Sequence, residues 1–197
     1  MRRAEERRVE DCCGQVRDSR CLMKKNIYEL GSVMKVMVYI LLGVVFFLLV
    51  VFVIGLFLPK TRTLKKETVY NASIEIVYNT VINNHDWTYR KSLDDLNIIE
   101  ANGDIEIWEE TSGGAVIQFK TKEKKPFTFY SFEMDSKLFK GNWHAELEST
   151  ENGKTRFVAT ESIEYKNPFI RIIGYVFMNL DNYMEIYQEE LRNKVEN

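Results

Sequence analysis

Two carboxylates carry the most chemical promise in this chain. Glu109 follows Ile105 and Ile107 on one face of a strand expected over Asp104–Thr111. Glu161 shares a face with Phe157, Ala159 and Ile163 in a strand expected over Arg156–Tyr165. A carboxylate among apolar neighbours loses hydration, and its pKa rises unless it is paired or hydrogen-bonded. Such a pair can anchor the polar end of a ligand, or serve as acid and base in an aldol-type cyclisation. It can equally be structural, linked to Arg171, Tyr183 or a strand-end amide. Trp87, Phe119, Trp143, Phe177 and Met184 are the side chains suited to walling a cavity around it, or to filling an ordinary core. The alternation that turns Glu109 inward turns Trp108 outward.

Other chemistries have little to work with. His85 lies in a loop and His144 on a polar strand face, too few and too scattered for a metal site or a Ser-His-Asp grouping. Cys12, Cys13 and Cys21 all precede the hydrophobic segment, so the remainder has no disulfide, thiol nucleophile or Cys-based metal site. Gly113-Gly114 lacks the following helix and Lys-Ser/Thr of a phosphate-binding loop. No catalytic residue, metal or cofactor is therefore assigned. Residues 60–197 hold 18 Lys/Arg against 23 Asp/Glu and no basic face, which argues against nucleic acid.

Val36 to Leu58 contains no charged side chain. As a helix it would extend about 34 Å, enough for a hydrocarbon core of about 30 Å. The expected organisation is a disordered extension over 1–35, a transmembrane helix over 36–58 and one folded domain over 59–197. Lys and Arg near the two ends of the span are balanced, so the positive-inside rule does not orient it. Met34-Lys35 resembles a natural start, and a chain beginning there would place the domain in the cytoplasm, on a single-pass cell-membrane anchor.

In the domain, Thr63–Asn71 reads as a first strand. Ile74, Val77, Tyr78, Val81 and Ile82 then form one helix face. Asn102-Gly103, Gly113-Gly114 and Asn152-Gly153 are turn signals between strands of an antiparallel meander. Asn167 and Pro168 start a long C-terminal helix, along which Ile173, Phe177, Leu180, Met184, Tyr187 and Leu191 make one apolar stripe. The fold class is α+β: a curved antiparallel sheet of about seven strands gripping that helix, with a gap suited to an apolar pocket.

This order resembles the START-like, helix-grip superfamily, and within it the polyketide cyclase/dehydrase and lipid-transport (SRPBCC) group. The matching residues are Val69-Tyr70-Asn71-Ala72-Ser73, Asp86-Trp87, Trp108-Glu109, Phe139-Lys140-Gly141-Asn142-Trp143, Thr160-Glu161 and Asn167-Pro168-Phe169-Ile170-Arg171. The resemblance spans residues 63–195 and implies a cavity for a lipid or another hydrophobic small molecule. Its members include carriers, receptors and cyclases, so fold does not select the activity. The expectation is a membrane-anchored binding or transport protein, with a cyclase/dehydrase-like enzyme or a membrane-protein interaction module as alternatives.

Overall fold

A computed structural model describes the backbone of residues 19–197 and the side chains from Leu30 onward. The described chain divides after Phe52 into two units. The first belongs to helix α1, Ser19–Phe57, whose stretch Leu30–Phe57 has 28 residues and a mean hydropathy of 3.3. That stretch is long and apolar enough to span a membrane. The backbone is helical from Ser19, across part of the segment expected to be a disordered extension; residues 1–18 of that extension lie outside the described residues.

The second unit, Val53–Asn197, contains the sheet. Its elements are β1 Thr61–Tyr70, α2 Ile74–Val81, a 3-10 turn Asn84–Asp86, β2 Asp95–Asn102, β3 Ile105–Ser112, β4 Ala115–Lys125, β5 Phe129–Asp135, β6 Phe139–Ser149 and β7 Thr155–Tyr165. Two helices, α3 Pro168–Phe177 and α4 Leu180–Val195, end the chain. The strands form one antiparallel sheet in the order β1-β7-β6-β5-β4-β3-β2. Glycines at 103, 113, 114 and 153 adopt positive φ in the hairpin turns, the conformation that the Asn-Gly and Gly-Gly pairs favour. Register shifts at Ile98/Glu100 and Thr121/Glu123 add local twist and curl the sheet. The β4–β5 turn holds Phe127 at φ 61°, unusual for a side chain of this size, with its ring edge-on to Tyr78 at 5.4 Å.

The concave face is built by alternation. Trp143, Ala145 and Leu147 of β6 and Phe157, Ala159 and Ile163 of β7 are buried there. Helix α4 lies over it, with Leu180, Met184, Gln188 and Leu191 inward. Tyr70 Oη donates to Gln188 O at 3.2 Å, and Thr68 Oγ1 donates to Gln188 Oε1 at 2.7 Å, docking α4 on β1.

Two expectations change. The C-terminal helix is broken at Met178-Asn179. Met178 is extended, and the Asn179 side chain caps α4 by accepting from the Asn182 amide. A good N-cap satisfies amides that a continuous helix would otherwise bond, so it competes with the hydrophobic period. The stripe is therefore split, and Ile173 and Phe177 are exposed. In β3 the faces are reversed: Trp108 and Glu110 point inward, while Ile105 and Glu109 lie on the outer face. Burying the large indole and an ion-paired carboxylate outweighs burying Ile105 and Ile107.

Candidate ligand cavity

Between the concave face and α4 lies a cavity of about 880 Å³. Its walls are rich in aromatic rings because cross-strand register brings rings together. Trp108 pairs with Phe119 and Phe132 with Trp143. The rings of each pair stack, at 5.3 Å and 4.8 Å. Phe132 also sets its edge against Trp108 at 5.5 Å, and Tyr187 of α4 sets its edge against Trp143 at 6.0 Å. Stacked and edge-to-face pairs are the arrangements aromatic rings favour, so these contacts stabilise the wall beyond the area they bury.

Apolar surface predominates, and two groups of polar side chains stand out. At one place Arg90, from the loop after the 3-10 turn, grips Glu110 of β3 with two hydrogen bonds, Nη2 to Oε2 at 2.9 Å among them. Trp108 Nε1 donates to Glu110 Oε1 at 3.0 Å. The guanidinium lies 5.3 Å from the centre of the Tyr187 ring, a cation–π contact. Burial pushes the Tyr130 phenol up to about 12 and the Tyr187 phenol well above its ordinary range, so both stay neutral.

Glu161 is different. It lies on β7 in the cavity wall, opposite Trp143 in register. Among the described residues no hydrogen bond or ion pair holds it. Arg171, one of its expected partners, instead donates Nη1 to Gly55 O and Leu58 O, each at 2.9 Å. Burial alone raises the Glu161 carboxyl to about 7.

Of the residues expected at the site, Trp87, Phe119, Trp143, Glu161 and Met184 line this cavity. Glu109 and Phe177 do not. Glu109 faces out of β3, its place on the inner face taken by Glu110. Phe177 is 77% exposed at the end of α3, because the helix break removes it from the stripe that α4 continues. Arg90, Trp108, Glu110 and Tyr187 were missed as wall residues. Arg90 lies in a loop without periodicity, and only the size of Trp108 argued for burial. Among the described residues no cluster of three His, Cys, Asp or Glu is placed to hold a metal ion.

No family model and no curated protein matches the sequence. Solved structures do match the fold. An aromatase/cyclase, Zhui, from a Streptomyces species is 8% identical with a TM-score of 0.59, over 69% of this chain and 94% of its own. A START superfamily protein from Mycobacterium smegmatis is 14% identical with a TM-score of 0.53, over 68% of this chain and 97% of its own. Norcoclaurine synthase from Thalictrum flavum is 12% identical with a TM-score of 0.56, over 70% and 87%. At such identities the likeness is one of fold. The domain has the START-like helix-grip fold.

Proposed function

We propose that this chain is a membrane-anchored binding protein for a lipid or another apolar small molecule. The observation that carries the reading is the aromatic-rich cavity of about 880 Å³, within the size range of small-molecule sites and walled mainly by apolar surface. The apolar stretch Leu30–Phe57 supports the anchor. A cavity tethered at a bilayer meets lipids at high local concentration. Alkaline carbonate extraction tests the anchor: the chain should stay with the membrane pellet, and release would contradict it. Native mass spectrometry of the mildly extracted full chain tests the cavity. A co-purifying apolar molecule, depleted in Trp143→Ala, supports the reading. An empty cavity that also fails to take up an apolar fluorescent dye would overturn it.

A second reading, an enzyme of the cyclase or dehydrase type, is favoured by Glu161 alone. An unpaired carboxyl near pKa 7 is poised for general-base work. Turnover of a polyketide-like substrate that disappears in Glu161→Gln would support this reading over the first.

A further inference from the structure

Helix α3 is built inside out. Its one charged residue, Arg171, is turned inward and only 9% exposed. Ile173, Val176 and Phe177, spaced to share one face, are 46%, 66% and 77% exposed. Gly174 meets the Tyr165 ring so closely that a Cβ there would collide, which fixes the inner face against the end of β7. The outward stripe is thus a consequence of packing, and no rotation of the helix can hide it. A water-facing helix ordinarily shows the opposite pattern.

The location of α3 says what covers the stripe. Arg171 binds the carbonyls of Gly55 and Leu58, at the end of the apolar stretch Leu30–Phe57. Gly55 lies against the Pro168 backbone with no room for a side chain. The last turn of α1 is therefore fastened to the start of α3, and Phe57 beside it is 86% exposed. At its other end α3 runs into Met178, a cavity-lining residue whose carbonyl accepts from Arg62 Nη1 at 2.9 Å. The cavity lining also includes Lys137 and Leu138 of the β5–β6 turn, and Leu138 O accepts from the Lys166 amide just before α3.

We infer that α3 is an interfacial helix: its Ile173, Val176 and Phe177 face enters the headgroup–acyl boundary of the bilayer and sets the Met178 end of the cavity at the lipid surface. This rests on the membrane-anchor reading above. An apolar helix face on a short helix fastened to the end of a spanning helix is the arrangement expected of an amphipathic segment lying in the membrane plane. A second protein copy fits less well, because three side chains on a ten-residue helix fall far short of the roughly 800 Å² per partner of a stable interface.

The test uses the full chain with Cys12, Cys13 and Cys21 replaced by Ser, reconstituted in phosphatidylcholine vesicles. An environment-sensitive fluorophore is placed at Val176→Cys and, as control, at Glu151→Cys in the β6–β7 turn. The Val176 label should be quenched several-fold more by a shallow spin-labelled lipid than by aqueous iodide, and the Glu151 label the reverse. If the chain is retained in vesicles but iodide reaches both labels equally, this inference fails while the anchor stands. Shielding of the Val176 label from both quenchers would mean a protein partner and would also overturn it. A chain that does not stay in vesicles overturns the anchor and the inference together. Phe177→Cys repeats the measurement at a second exposed position.

Discussion

Arg90 and Glu110 are held face to face in the cavity wall by two hydrogen bonds, and Trp108 donates a third to the same carboxylate. The two residues come from a loop and from β3, so the pair ties the loop to the sheet. Its charges cancel locally. The wall thus keeps an apolar character although two ionised side chains lie in it.

Removing one partner should be far worse than removing both. Arg90→Met leaves the Glu110 carboxylate desolvated and uncompensated, with an expected cost of about 3–5 kcal/mol. The double variant Arg90→Met with Glu110→Leu should recover much of that loss. Chemical denaturation of the detergent-solubilised chain measures both, and equal stabilities of the single and double variants would contradict the account.

Glu161 should make stability fall as pH rises. Its folded-state pKa, about 7, lies above the ordinary 4.5, so the folded form holds its proton longer than the unfolded chain does. Its burial costs nothing below about pH 4.5; the cost grows between 4.5 and 7 and is complete above that. Glu161→Gln should therefore match the wild type near pH 4.5 and exceed it by about 1–3 kcal/mol at pH 8. Denaturation curves at the two pH values give the difference, and a gain of the same size at both would show that the carboxyl is not desolvated.

Legibility of the sequence followed the strength of local signals. The β6 and β7 faces were readable because Trp143-Ala145-Leu147 and Phe157-Ala159-Ile163 alternate cleanly, and the hairpins because Gly103, Gly113 and Gly153 demand positive φ. The β3 face was not, because alternation sees Ile105 and Ile107 but cannot see that a distant loop brings Arg90 to Glu110. The C-terminal stripe failed at Asn179, where a residue-level capping preference defeats a period sustained over six positions. Glu161 was found from its strand neighbours alone, but the absence of a partner could be seen only once Arg171 was placed.

Trp143 and Phe177, both expected in the wall from sequence, should now behave oppositely. Trp143→Ala removes a buried ring stacked on Phe132 and should cost about 3–5 kcal/mol, with loss of apolar-dye binding. Phe177→Ala alters a side chain that is 77% exposed and should stay within about 0.5 kcal/mol with dye binding intact in detergent. Thermal unfolding and dye titration on both variants check the contrast.

Arg171 should govern how firmly the end of α1 is held. Its guanidinium satisfies the Gly55 and Leu58 carbonyls, two of the acceptors that a helix C-terminus leaves without intrahelical partners. Arg171→Met would leave those carbonyls unpaired, at a cost of about 1–3 kcal/mol for a buried unsatisfied group. The loss is local, since the β1–β7 ladder from Thr61 to Tyr70 remains in place. Limited trypsinolysis should therefore cut after Lys60, just ahead of the ladder, markedly faster in the variant, while the released domain unfolds with nearly wild-type cooperativity. If cleavage there is unchanged, the connection is secured by the β1–β7 ladder and the Gly55–Pro168 packing, and the Arg171 hydrogen bonds contribute little to it.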